Sequence, residues 1–139
     1  MNRLSYEEIL NRDGKYIFTP VGTSMLPMLR QRRDTVLVEK KNGAVKKHDV
    51  ILYKRECGDY ILHRVLKVKN DEYTLCGDNH THLEKGVKDE QILGVMTAFW
   101  RDEKMIKTTD FSYRFYTKIW CFSLFLREFM LFFTRRLLK

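Results

Sequence analysis

Ser24 lies in Gly22-Thr23-Ser24-Met25-Leu26-Pro27-Met28-Leu29, between a glycine that lets the backbone turn tightly and a proline that keeps a helix from running through. A hydroxyl is thereby held out on a bend. A serine hydroxyl is too weakly acidic to attack at neutral pH, so the stretch does chemistry only if the chain also supplies a base and donors for an oxyanion. Taken alone, these eight residues also describe a plain loop entering an apolar element. Two further residues line up behind Ser24 on separate elements: His63 in Leu62-His63-Arg64-Val65, and Asp78 in Gly77-Asp78-Asn79. Asp78 has a competing use, because an Asp in such a turn caps its own backbone through Asx hydrogen bonds. Lys54 and Lys67 are rival bases. His80 and His82 have metal-like spacing, yet no further ligand cluster accompanies them, so they read as loop residues and neither metal nor cofactor is implied. Cys57, Cys76 and Cys121 are an odd number with no CxxC pair, which argues against a disulfide framework or a zinc site; they read as buried apolar thiols.

Short elements must position these groups. Ser5 to Glu8 fits a capping box, with Leu4 and Ile9 spaced as a hydrophobic staple, and predicts a helix to about Arg12 that Asp13-Gly14 ends. Strand patterns follow over 15–21, 34–38, 49–53, 60–69 and 73–76, with turns at Gly58-Asp59 and Asn70-Asp71. The segment from Gly77 to about Glu90 reads as a polar loop; 91–100 reads as a strand with Gly94 at a bulge or close approach, and 104–108 as its short partner. Six or seven short strands without long crossover helices predict a mainly β fold, a barrel or sandwich of antiparallel strands. Arg30, Arg32 and Arg33 read as a phosphate-binding patch or, more simply, as a solvated loop.

The chain has 139 residues, 44% hydrophobic and 32% charged, which is the composition of one globular domain rather than of a disordered segment. Its net charge of +8 calls for an anionic partner, either nucleic acid or an acidic membrane surface. The location of the charge favours the membrane. From Phe111 onward the chain is dominated by Phe, Tyr, Leu and Trp, interrupted by Arg114, Lys118, Arg127, Glu128, Arg135, Arg136 and Lys139. A helical wheel gathers Arg114, Lys118, Glu128, Arg135 and Arg136 on one side and most aromatics on the other, with Arg127 off the polar arc. Ile119 to Leu126 is the longest uncharged stretch, far short of the roughly 20 residues of a spanning helix, so a surface-lying amphipathic helix is expected, with packing on its own domain or dimerisation as the alternatives. The expected division is thus 1–110 for the catalytic domain and 111–139 for the tail. The opening residues contain no apolar run of the signal-peptide kind, and the basic tail favours the cytoplasmic face of a bacterial membrane.

With these blocks in place the sequence resembles the signal peptidase I superfamily of serine peptidases, which includes the self-cleaving SOS and phage repressors. The matching blocks are Gly22 to Pro27, Asp49-Val50-Ile51-Leu52, Leu62-His63-Arg64-Val65 and Gly77-Asp78-Asn79, in the family's order over about residues 15 to 100. The resemblance implies Ser24 as nucleophile and an endopeptidase that cuts leader or signal peptides after small residues. Most bacterial members use a lysine base, whereas the endoplasmic-reticulum and archaeal enzymes carry histidine in a His-Arg-Val block, which assigns the base to His63; an imidazole with an ordinary pKa accepts the serine proton near neutral pH. The orienting acid is Asp78 or, from the histidine-type enzymes, Glu84. Gly22 replaces the serine that commonly helps form the oxyanion hole, leaving backbone N–H groups around Ser24 to do so, with Gly22, Thr23, Met25 and Pro27 lining the oxyanion and substrate region. Two alternatives differ in class: a regulatory peptidase like the self-cleaving repressors, and an inert peptide-binding module. About 20 residues precede Ser24, too few for a DNA-binding domain, so no nucleic acid partner is expected.

Overall fold

The computed structural model describes residues 3–137. Helix α1 (Tyr6–Asp13) begins with the predicted capping box, Ser5 and Glu8 each bonding the other's backbone N–H, and ends at Gly14 in the left-handed conformation. Eight strands follow, all paired antiparallel: β1 (Lys15–Phe18), β2 (Thr35–Lys40), β3 (Val50–Lys54), β4 (Tyr60–Lys69), β5 (Glu72–Cys76), β6 (Glu84–Lys88), β7 (Ile92–Arg101) and β8 (Lys104–Lys107). They form one sheet in the order β1-β2-β7-β3-β4-β5-β6, with β8 paired to the end of β7, Ala98 to Arg101, beyond the stretch that β3 pairs. The mainly β antiparallel architecture read from the sequence is the one observed. Helix α2 (Phe111–Leu137) closes the chain.

The polar loop expected between Gly77 and Glu90 instead contains β6. Glu84-Lys85-Gly86-Val87-Lys88 sends only Val87 into the core, so this charged outer strand lacks the alternation that marks a strand. Strand β1 stops at Phe18, earlier than expected, two residues before Pro20, which has no N–H to give a ladder.

β3 explains why the sheet has two cores. Its run Val50-Ile51-Leu52-Tyr53 is buried on both faces: Val50 and Leu52 meet Leu10, Met25, Met28 and Leu29, whereas Ile51 and Tyr53 meet Val65, Leu75 and Val87. The serine bend is thus packed on one face of β3 through Met25, Met28 and Leu29, each under 5% exposed. Gly94 lets β7 press against β2: a Cβ there would stand 2.5 Å from Val38 Cγ1 and 2.6 Å from the Glu39 carbonyl oxygen, the close approach expected.

The tail departs from the expected wheel. Helix α2 turns Tyr113, Thr117 and Leu124 onto the sheet, and Trp120 Nε1 donates to the Asp78 carbonyl at 2.8 Å. Its first half is part of the same packed unit as the strands, although it starts where the domain boundary was drawn. Phe111, Phe115, Phe122, Phe129 and Phe133 are exposed, from 48% to 82%. Arg114, Lys118 and Arg136 lie on that same outer side, since Lys118, Phe122, Phe129 and Arg136 nearly align at about 100° per residue. The basic groups therefore edge the aromatic face rather than oppose it, because the side opposite is occupied by the protein. Lys139 and the side chains of Arg127, Glu128 and Arg135 lie outside the description. Among the described residues no helix is long and apolar enough to cross a membrane.

Candidate functional site

Three pieces of backbone bring the candidate residues together. Gly22 has φ +107°, a conformation that favours glycine, and its N–H is held by Gln31 Oε1 at 3.1 Å, which starts the bend. The end of the bend is clamped by Asp34, fully buried, which takes the Arg30 N–H and guanidinium at 2.8 to 3.3 Å; Arg101 donates to the carbonyls of Pro27 and Met28. Arg30 is thus directed to Asp34 and Asp102, and Arg33 lies 3.9 Å from Asp102.

His63 is opposite Ile51 in the β3–β4 register, on the face that carries Tyr53. Gly77 joins the two. Asn79 N–H donates to the Ser24 carbonyl at 2.9 Å, and a Cβ on Gly77 would stand 2.5 Å from that carbonyl oxygen and 3.1 Å from His63 Nε2. Only a residue without a Cβ fits between the bend and the imidazole. Ser24 and His63 line one cavity of about 400 Å³, with Gly22, Met25, Leu52 and His80 also in its wall. No hydrogen bond joins Ser24 Oγ to His63; bonds between nucleophile and base are often long or poorly aligned before substrate binds and tighten with it. The N–H groups of Ser24 and Met25 have no partner within the protein among the described residues, and both residues face the cavity.

The other side of the imidazole is fixed by a relay. Tyr53 Oη lies 3.3 Å from His63 Nδ1 and donates its proton to Glu84 Oε2, and Glu84 in turn accepts from Arg55 Nε and Nη2 at 3.1 and 3.0 Å. Burial works against the Glu84 charge, but the hydrogen bonds from Arg55 and Tyr53 outweigh it and hold the carboxyl below its usual range. A phenol has one proton, and Glu84 takes it, so Tyr53 can only accept from His63. That assigns the proton to Nδ1 and leaves the lone pair of Nε2 on the side of Gly77 and Ser24. Burial, seconded by His80 and Arg55, lowers the His63 pKa to about 4, well under the ordinary value expected from the sequence, so the imidazole is neutral from about pH 5 upward.

Asp78 does not orient His63. Its two carboxylate oxygens take Arg64 Nε and Nη2 at 2.8 and 2.9 Å in a pair with no exposed surface, and Tyr116 Oη adds a third bond at 3.2 Å. Arg64 spends its remaining donors on the His48 carbonyl, Tyr113 and Met28 Sδ. The pair therefore ties the serine bend, β4 and α2 together. Of the two acids, Glu84 is the one connected to the imidazole, through Tyr53. Lys54 is bound to Glu7 at 3.1 Å, away from Ser24, and Lys67 is exposed on β4, which removes both rival bases. His80 is more than a loop residue, since its ring stands edge-on to His63 at 5.7 Å. Cys57 is exposed and Cys121 half-buried, so only Cys76 meets the expectation of a buried thiol. No group of three metal-ligating side chains occurs among the described residues.

Sequence reasoning missed Tyr53, Arg55 and Gly77. The sequence marks Lys54 as a rival base and Tyr53 as a strand residue; the link to Glu84 exists because β6 is folded beside β5, pairing Leu75 with Glu84. Comparison with known proteins finds no family model, no curated protein and no solved structure that matches this chain.

Proposed function

We propose that the chain is a serine endopeptidase resembling signal peptidase I, cleaving leader or signal peptides after small residues, with Ser24 as nucleophile and His63 as general base. The observation that carries the reading is the convergence of the Ser24 bend and His63 Nε2 on Gly77, beside the N–H groups of Ser24 and Met25, which have no partner among the described residues. In the mechanism, Nε2 takes the Ser24 proton as Oγ attacks the scissile carbonyl, and the N–H groups of Ser24 and Met25 receive the oxyanion. The imidazolium so formed keeps its Nδ1–H on Tyr53, whose proton leans on Glu84; the positive charge is answered through one intervening hydroxyl. The same Nε2–H then protonates the leaving amine, and water repeats the cycle on the acyl-enzyme. Tyr53 and Glu84 are positioning residues in this scheme.

The outer face of α2 fits a peripheral attachment to an anionic bilayer, with Phe111, Phe115, Phe129 and Phe133 in the acyl boundary and Arg114 and Arg136 beside phosphates, on the cytoplasmic side by the charge rule. Dimerisation through the same face is the competing use.

The decisive experiment is cleavage of an Ala-x-Ala peptide. Ser24→Ala is expected to abolish it and His63→Ala to lower kcat by several orders of magnitude, while Lys54→Ala stays near the parent rate. Undiminished cleavage by Ser24→Ala, or equal loss in Lys54→Ala and His63→Ala, overturns the assignment.

A further inference from the structure

A second, larger cavity of about 990 Å³ lies between the outer face of β4, β5 and β6 and the flank of α2. Its size is at the upper end of the roughly 300–1,000 Å³ common for ligand sites. Leu66, Leu83, Leu124, Phe122 and Phe125 give it apolar walls. Lys47, Lys67, Lys69, Lys85 and Lys118 stand around it against a single carboxylate, Glu72. Among the described residues none of these five lysines is in an ion pair, whereas Lys41 and Lys54 elsewhere on the chain are both paired. A concave apolar surface ringed by uncompensated positive charge is complementary to an occupant that is both apolar and acidic.

The place of this groove says what the occupant is. His80 lines the groove and also lines the smaller cavity that holds Ser24 and His63, so the two spaces adjoin at one side chain. A peptide whose scissile bond lies at Ser24 has only to continue past His80 to enter the groove. We infer that the groove receives a flanking segment of the peptide substrate in which Asp or Glu alternates with Leu, Ile or Phe, and that this segment selects substrates. The inference rests on the peptidase reading and deepens it. The acidic side chains meet Lys47, Lys67, Lys85 and Lys118, and the apolar ones pack on Leu66, Phe122 and Phe125. Lys69 contributes less, because Glu72 is its cross-strand neighbour.

Binding can be measured apart from catalysis by using the full chain with Ser24→Ala, which holds peptide without turnover. The probes are fluorescein-labelled peptides with one Ala-x-Ala sequence and a Glu-Leu alternating segment on either side of it, each with a Gln-Leu counterpart, followed by fluorescence anisotropy. One of the two Glu-Leu peptides is expected to bind about tenfold tighter than its Gln-Leu counterpart, and the combined Lys67→Glu, Lys85→Glu and Lys118→Glu variant is expected to remove that advantage. These lysines are exposed and unpaired, and the corresponding Lys→Gln set, expected to fall between, guards against a folding defect. Equal binding of the Glu and Gln peptides, or an advantage that survives charge reversal, overturns the inference. So does a groove that binds phosphatidylglycerol vesicles in a lysine-dependent way while ignoring the peptides, which makes it a lipid site. The two readings fail separately: with Ser24 intact, discrimination without cleavage ends the peptidase reading and leaves the groove, whereas cleavage without discrimination ends the groove alone.

Discussion

Tyr53→Phe tests the relay with one atom. The ring stays in its fully buried position on β3 and packs as before, and Glu84 keeps both bonds from Arg55, so the carboxylate is not orphaned. What is lost is the acceptor of His63 Nδ1–H and the hydroxyl that passes the Glu84 charge to it. A bond to a group that becomes charged in the transition state is worth about 1.5–3 kcal/mol, which converts to roughly 10- to 150-fold in kcat. Tyr53 is not in the wall of the Ser24 cavity, so KM should hardly move. The assay is kcat and KM on an Ala-x-Ala peptide from about pH 3.5 to 8, with a denaturation curve for each variant to confirm folding. The sign of the pH dependence follows from burial: because the His63 pKa is lowered to about 4, the neutral base is present above that value, and kcat/KM should rise through about pH 4 and stay flat towards neutrality. Glu84→Gln should lose activity to a similar degree as Tyr53→Phe, and the double variant no more than either alone, since the two act in series. Parent-level kcat in a folded Tyr53→Phe refutes the relay. A rise in parent activity centred near pH 6.5 refutes the claim that His63 is desolvated in the working enzyme.

Gly77→Ala places a methyl 2.5 Å from the Ser24 carbonyl oxygen, on backbone that cannot swing aside, so a loss of about 1–3 kcal/mol in stability and a displaced bend are expected; denaturant midpoints at the parent's level speak against the close approach. Asp78→Asn should act through folding rather than catalysis: stripping the charge from a buried bidentate pair with Arg64 costs about 3–5 kcal/mol, and a stably folded Asp78→Asn with selectively lost activity would return Asp78 to a catalytic role. For the outer face of α2, Phe129→Ser with Phe133→Ser in the full chain should reduce sedimentation with anionic vesicles and leave folding intact, since both rings are exposed; unchanged pelleting makes that face a dimer surface or a solvated one. High salt should weaken the same interaction, because its electrostatic part is screened.

What the sequence determined by itself was local. The capping box at Ser5 and Glu8, the left-handed stop at Gly14 and the turn at Asn70-Asp71 all depend on neighbours within a few residues, and each appears where the pattern put it. The two residues on which the proposed site is built, Ser24 and His63, are likewise singled out by type and setting without a fold. The third member was not. Asp78 and Glu84 are both acids after β5, and choosing between them requires knowing that Arg64, one residue from His63, points to the opposite face of β4 and captures Asp78, while β6 brings Glu84 to Tyr53. Strand geometry makes that choice: adjacent side chains face opposite ways, so His63 and Arg64 cannot share an acid. The orientation of α2 was hidden for a related reason. Its period shows that two faces exist, yet with aromatic residues on both, only the sheet decides which face is buried, and it chose Tyr113, Thr117 and Leu124 because Asp78 and Arg64 offer the polar partners that Tyr113, Tyr116 and Trp120 need in a dry interface.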